Sequence, residues 1–306
     1  MVDSESKFLP NLFILGAAKC GTTTLFSYLN ELPDICMSDP KEPFFFEAEF
    51  ENGLQFYQDK YFSHWNSEPI LGDARVSNLY IPWVPNRIYE TNPNSKLIVI
   101  VRNPIERAFS NWVHFRNAQL DELNFSEAIR ADWERIQSGR NYETNEEVEQ
   151  HTQQLVVNAQ GHSGEGLYRT YIDRGYYFEQ IQRYLKLFPR EQLKIYLFEE
   201  FVAEPNRVVT EIIEFLELDP TRNRFCEERW ENAANVPGWM RKLYEQFRFY
   251  RFAPEISRRF ARKILRSHRR SKIDQETWFW LRDHYEDRNR ELAEFLGRDL
   301  SHWNQV

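Results

Sequence analysis

The stretch Asn11–Asn30, NLFILGAAKCGTTTLFSYLN, constrains the fold of this chain more than any other. Asn11–Leu15 is a short apolar run, Gly16–Gly21 a tight loop, and Thr22–Asn30 has helical spacing. Strand, glycine loop and helix in that order aim several backbone N–H groups and a helix N-terminus at one point, a ready anion site. The glycine spacing matches a phosphate-binding Walker A loop, but the lysine does not. Walker A puts Lys directly after the second Gly, whereas here Lys19 lies inside the loop and Thr22 follows Gly21. Hydroxyls at Thr22, Thr23 and Thr24 stand in the first helical turn, where they cap free N–H groups or bind an anion. A strand–glycine–helix turn that only packs tightly has the same spacing.

A second feature lies about eighty residues on. Lys96–Val101 (KLIVIV) is a near-continuous apolar run, as in a strand buried on both faces of a parallel sheet. Arg102 follows at its C-terminal end, and Pro104 can open the next helix. Ligands of open α/β sheets bind outside the carboxyl ends of the strands, so Arg102 stands where a ligand belongs. A kinase would offer a magnesium-binding Asp there; this chain offers a fork-shaped cation suited to bidentate phosphate capture. Ser110 lies two turns into the predicted helix, and His114 one turn beyond on the same face. Singly, these are a salt-bridge arginine, a surface serine and a structural histidine. Loop and Arg102 together carry the reading of a nucleotide site.

Between the two runs Asp39-Pro-Lys-Glu-Pro-Phe-Phe-Phe46. Its prolines predict an extended turn at Lys41 and Glu42, with the phenylalanines as an anchor. A carboxylate desolvated beside that apolar cluster is a useful general base, although chemistry alone favours a surface Lys–Glu pair. Gly53–Trp65 reads as partly helical, Leu71–Tyr80 as a strand-to-helix loop, Phe125–Ile136 and Pro205–Leu218 as helices, and Leu193–Phe198 as a strand ended by Glu199-Glu200. Residues 138–166 are polar, with four glycines and few apolar side chains, and predict a loop or a lid. With no repeat or linker visible, one domain over residues 1–306 is expected, residues 1–10 being a tail.

These residues carry a resemblance. The loop with Lys19 inside it resembles the 5′-phosphosulfate loop of the sulfotransferases that use 3′-phosphoadenosine 5′-phosphosulfate (PAPS). Arg102-Asn-Pro-…-Arg107-Ala-Phe-Ser110 is similar to that family's 3′-phosphate motif, Arg-Asn/Asp-Pro-x-x-Arg-x-x-Ser. Lys41-Glu42-Pro43 before Phe-Phe is similar to the pattern of its bacterial and heparan sulfate 3-O-sulfotransferase-like branch. Leu71-Gly-Asp-Ala-Arg-Val-Ser-Asn-Leu-Tyr80 looks like the family's Gly-Glu-Ala-Ser-Pro-Ser-Tyr-Leu segment, with Arg75 at the Ser, Val76 at the Pro and Asn78 at the Tyr. Tyr171-x-x-x-Gly175-x-Tyr177, Asn232–Arg241 and the ending Leu296-Gly-Arg-Asp-Leu-Ser-His-Trp303 resemble later family segments, so the likeness runs from about residue 11 to 303.

The resemblance implies a three-layer α/β/α fold with a central, mainly parallel sheet, related to P-loop NTPases. It implies in-line sulfuryl transfer from PAPS to a hydroxyl or amine, with release of adenosine 3′,5′-bisphosphate (PAP). Lys19, Cys20, Gly21, Thr22, Thr23 and Thr24 would then hold the 5′ end, and Arg102 and Ser110 the 3′-phosphate. Tyr177 and Arg241 would contact the nucleotide. Glu42 would remove the acceptor proton, with His114 as runner-up. Lys41 would touch the reacting groups, and Phe45, Arg75 and His114 would line the acceptor side with them. No metal is demanded, since fixed cations supply the charge.

Net charge is −8 but uneven: residues 240–272 hold twelve Lys/Arg against two Glu, or +10, leaving −18 elsewhere. The basic stretch is a candidate for nucleic acid or an anionic membrane, or simply a wet helix face. The negative remainder argues against a long polyanionic acceptor and suits a small molecule, a cationic natural product being one candidate. No apolar run approaches the ~18 residues of a membrane span, and the start, MVDSESKFLP, is unlike a signal peptide. The cysteines Cys20, Cys36 and Cys226 lack metal-ligand spacing. A cytoplasmic monomer or homodimer bound to neither membrane nor nucleic acid is expected; a lumenal fragment shorn of its anchor would look the same. Two other classes stay open: a P-loop kinase using Mg-ATP, and a non-catalytic nucleotide or nucleic-acid binding module resting on the basic stretch.

Overall fold

A computed structural model describes residues 9–118, 120–139, 169–223 and 273–305. Five apolar segments form its strands: β1 (Leu12–Gly16), β2 (Ile35–Met37), β3 (Ile70–Ala74), β4 (Lys96–Val101) and β5 (Leu193–Leu197). They make one sheet in the order β2-β3-β1-β4-β5, and every pairing is parallel. Nearly every strand residue is buried, as a sheet with both faces covered requires. Parallel strands need crossovers, and helices supply them. The crossover helices are α1 (Thr22–Leu29), α2 (Gly53–Tyr61), α3 (Val84–Thr91), α4 (Pro104–Asn117), α5 (Phe125–Gln137) and α6 (Tyr177–Leu185); α7 (Phe198–Ala203), α8 (Pro205–Phe215) and α9 (Gln275–Leu296) follow β5. The α/β fold expected from the sequence is therefore present.

β1 occupies the centre, with β3 on one side and β4 on the other. The chain runs from β1 through α1 to the β2–β3 side and only later crosses to β4, so the sheet changes direction at β1. That switch point opens a crevice at the carboxyl ends of the strands. The loop after β1, the turn after β2 that carries Lys41 and Glu42, Arg75 after β3 and Arg102 after β4 all leave the sheet at this edge.

Two caps fix the helix that follows β4. Asn103 Oδ1 accepts from the Ile105 N–H at 2.9 Å, and Pro104 supplies the first helical residue. Asn103 Nδ2 donates to the Trp303 carbonyl at 2.8 Å, which ties the chain's last turn to the start of α4. In the same terminal segment, Arg298 pairs with Glu200 at 2.6 Å. Glu200 also accepts from the Leu197 N–H at 3.3 Å, so the acids after β5 end that strand. The terminal Gly-Arg-Asp-Leu-Ser-x-Trp pattern is thus a clasp across the β4 and β5 ends. Gly175 lets two elements meet: a Cβ there would lie 2.7 Å from the Tyr285 hydroxyl of α9 and 3.0 Å from Pro104 Cβ.

Candidate active site

The loop after β1 is anchored at both ends. Ala17 N–H donates to the Ile100 carbonyl of β4 at 2.8 Å, and Cys20 N–H to the Ala17 carbonyl at 3.2 Å. Gly21, at φ 89°, turns the chain into α1 in a backbone conformation that L side chains rarely adopt. No side chain caps α1, so the first-turn N–H groups of Thr22 and Thr23 keep no side-chain oxygen acceptor. Thr22 is buried, whereas Thr23 and Thr24 are half-buried at the loop. The Cys20 thiol turns into the core, and burial pushes its pKa up to about 12. Its expected contribution to nucleotide binding therefore reduces to backbone.

Lys19 stands at the mouth of this loop at φ 68°, left-handed for a residue with a Cβ. Burial, and next the positive charge of Arg102, push its pKa below the ordinary lysine value. Among the described residues no carboxylate neutralises it. Arg102 is almost fully buried, and its Nη1 reaches the Lys19 carbonyl at 3.5 Å. Two cations from different strand ends are thus held together with their repulsion uncompensated by acid at Lys19, the electrostatic mark of an anion site. Arg102 is itself braced. Its Nη2 donates to Glu106 Oε2 at 2.7 Å, and its guanidinium carbon lies 4.6 Å from the Phe198 ring centroid.

Glu106, Ser110 and His114 recur every fourth residue along α4 and so form one stripe. Glu106 at one end touches Arg102, and His114 at the other feels the charge of Lys19. Ser110, half-buried, sits between them on that stripe. Partial desolvation, then Lys19, push the His114 pKa below the ordinary histidine value. A histidine kept neutral there is able to accept a proton, which keeps it the second candidate base.

The turn after β2 departs from its expected shape. Glu42 is at φ 69°, left-handed rather than extended, although Pro43 follows it. Tertiary bonds explain the difference: Glu42 Oε2 accepts from the Val76 N–H at 3.0 Å and lies 3.8 Å from Arg75 Nη1, and Oε1 pairs with Lys41. The carboxylate therefore sits among cations and an amide, about 29% exposed, and not in an apolar pocket. Phe45 is also elsewhere than expected. It is 1% exposed, stacked on Tyr57 with ring centroids 4.3 Å apart, so it anchors the turn from the core and offers an acceptor nothing. Phe44 carries the half-buried ring instead, with the Arg75 guanidinium 4.0 Å from its centroid.

Arg75 does not reach into the cleft either. It is 7% exposed, and its Nε donates to the buried Glu47 at 2.7 Å. Its position beside Glu42 makes it a brace for that carboxylate. Tyr177, expected against the nucleotide, is 2% exposed, and its hydroxyl donates to the Arg102 carbonyl at 2.9 Å. The ring is core, and the residue acts on the site by fixing the end of β4. Arg241, the basic stretch, Cys226 and nearly all of the supposed 138–166 lid lie outside the described residues.

Sequence reading passed over three residues here. Glu106 and Phe198 hold Arg102 on an edge and a face. Asp73, in β3, is fully buried: its Oδ2 accepts from the Tyr57 hydroxyl at 2.6 Å and its Oδ1 has no partner. Burial pushes its carboxyl up to about 7. An acid inside the apolar run Ile70–Ala74 was the available signal.

Fold and site define a P-loop-type α/β protein in which a glycine loop and a strand-end arginine form adjoining cationic pockets. The sulfotransferase domain model matches residues 9–235, and the chain belongs to that family. It is similar to the membrane-associated sulfotransferase kil1 of Dictyostelium discoideum, at 24% identity over 274 residues, covering 71% of this chain and 58% of that protein. It is also similar to heparan sulfate glucosamine 3-O-sulfotransferase 3A1 of Homo sapiens, at 30% identity over 148 residues, 45% of this chain and 36% of that protein. The chain thus spans less than two thirds of the length of either relative. Among solved structures, a sulfotransferase from Alicyclobacillus acidocaldarius superposes with a TM-score of 0.68 at 25% identity, covering 98% of this chain and 100% of that one.

Proposed function

We propose that this chain transfers a sulfuryl group from PAPS to a hydroxyl or amine of a small acceptor and releases PAP. The observation that carries this reading is the adjacency of Lys19, half-buried, and Arg102, almost fully buried, two cations at neighbouring strand ends. One ligand with anionic groups at both ends of an adenosine would relieve their repulsion. The loop amides, the α1 N-terminus and Lys19 would hold the 5′ end, and Arg102 with Ser110 the 3′-phosphate.

As the bond from sulfur to the bridging oxygen lengthens, negative charge grows on that oxygen, where Lys19 and the first-turn N–H groups stabilise it. Glu42 takes the proton of the attacking hydroxyl or amine as the new bond to sulfur forms. Lys41 and Arg75 fix the Glu42 carboxylate, and the amide of Val76 fixes its direction. PAP leaves with the electron pair of the broken bond. The charge is supplied by side chains and amides, so the reading assigns no role to a metal.

A kinase reading is weaker. The β4 end carries Arg102 paired to Glu106, a phosphate-binding group, where a kinase would place a magnesium-binding acid. The acceptor class rests on composition: the acidic balance outside residues 240–272 favours a small, neutral or cationic molecule such as a cationic natural product. Similarity to a heparan sulfate enzyme makes a glucosamine hydroxyl the competing acceptor. A reducing, cytoplasmic setting fits the two buried free thiols Cys20 and Cys36, and no helix among the described residues is long and apolar enough to cross a membrane. Incubation with PAPS and a panel of cationic metabolites, neutral alcohols and heparan oligosaccharides, read by mass spectrometry, tests the reading. Gain of one SO₃ on any panel member, with PAP formed in equal amount, is expected. Reaction of the oligosaccharides alone would replace the small-molecule acceptor with a glycan. PAP formed from none of them would remove the proposed activity on these acceptor classes.

A further inference from the structure

A guanidinium that must meet a phosphate with two parallel N–H bonds has to be held in one orientation, because an arginine side chain has several free torsions. Arg102 is held in this way by two groups that the proposed chemistry does not use. Glu106, in the first turn of α4, accepts from Nη2 at 2.7 Å and from Nε at 3.3 Å through the same oxygen, Oε2. Phe198, the first residue of α7, covers one face of the fork at 4.6 Å from its ring centroid. Phe198 also lies against the loop, since a Cβ on Gly21 would stand 3.4 Å from its ring. The Nε–Nη2 edge and one face are therefore occupied, and the Nη1 side is turned toward the loop, where it meets the Lys19 carbonyl at 3.5 Å.

We propose that Glu106 is the positioning residue of the 3′-phosphate site: by taking the far edge of Arg102 it presents the Nη1 side of the fork to the nucleotide. This rests on the reading of Arg102 as the 3′-phosphate ligand. In this proposal Glu106 touches no reacting atom and acts through Arg102. Its removal leaves the almost fully buried Arg102 guanidinium without its carboxylate, so the AMP comparison and the Glu106→Gln variant are needed to separate lost orientation from lost stability. What is lost is the orientation of one long side chain, worth about threefold to tenfold in affinity.

Calorimetric titration of the full chain with PAP and with AMP separates this role from a general structural one. Wild type is expected to prefer PAP. Glu106→Ala should lose about threefold to tenfold of its PAP affinity while its AMP affinity stays unchanged. Glu106→Gln keeps an oxygen for Nε and Nη2 and should recover most of that loss. In turnover, Glu106→Ala should raise KM for PAPS with little change in kcat, since the bond-breaking end is untouched. PAP affinity unchanged in Glu106→Ala, equal losses for PAP and AMP, or a Gln variant no better than the Ala variant would each overturn the proposal. A wild type that binds PAP and AMP alike would overturn the 3′-phosphate reading itself, and the role of Glu106 with it.

Discussion

Two carboxylates near the cleft have opposite settings, and each can be tested alone. Glu42 is partly exposed and held by Lys41, Arg75 and the Val76 amide. Glu42→Gln keeps its shape and removes the proton acceptor; turnover should fall by roughly 10²–10⁴-fold while calorimetric PAP affinity is kept. Undiminished turnover would take Glu42 out of the base role and leave His114 in its place. Asp73 is fully buried and pushed up to about 7 by that burial, against an ordinary 3.8; the Tyr57 hydrogen bond pulls the other way. The folded chain thus retains a proton that the unfolded chain releases between about pH 4 and pH 7, so stability from this group is lost as pH rises through that window. Asp73→Asn has no proton to lose. Relative to wild type it should gain on the order of a few kcal/mol between about pH 4 and pH 8 in denaturant unfolding. A stability difference that does not change with pH would show that Asp73 titrates like an exposed acid.

Among the elements, α4 does most to assemble the site, and its N-terminus is doubly fastened. Asn103 caps it with Oδ1 and clasps Trp303 with Nδ2. Asn103→Ala loses both bonds and should cost about 1–2 kcal/mol in urea unfolding. Asn103→Asp keeps an oxygen for the cap and should cost clearly less; equal losses would mean that the cap contributes nothing. The strands and helices were legible in advance where a period or a run dictated them. KLIVIV became β4 at the predicted bounds, and the helical spacing read over Thr22–Asn30 became the helix Thr22–Leu29. Side-chain direction was not legible. Phe45 and Tyr177 belong to motifs that pointed to ligand contacts, yet both face the core, because a motif fixes spacing along the chain and not which side a ring turns to. The left-handed Glu42 was hidden for a similar reason: its conformation is imposed by Val76 and Arg75, thirty-odd residues away in sequence. The Glu106–Arg102 pair follows i,i+4 spacing and could have been found from it.

Across the whole molecule, function rests on the switch point of one parallel sheet. β1 and β4 are neighbours, so the loop that follows one and the arginine that follows the other must open onto the same crevice. The family segments far apart in sequence serve that convergence. The Trp303 carbonyl holds the cap of α4, Arg298 holds the β5 end, and the Tyr177 hydroxyl holds the β4 end. In the proposed function the positive field at Lys19 and Arg102 serves a nucleotide carrying charge at both its 3′ and 5′ positions. Calorimetry with PAP and AMP on wild type and Arg102→Ala measures that most directly. Wild type should bind PAP at least about tenfold more tightly than AMP, since a charge-assisted pair is worth about 1.5–3 kcal/mol, and Arg102→Ala should abolish the difference. Equal affinities of wild type for the two nucleotides would contradict the two-pocket site and the donor assigned from it.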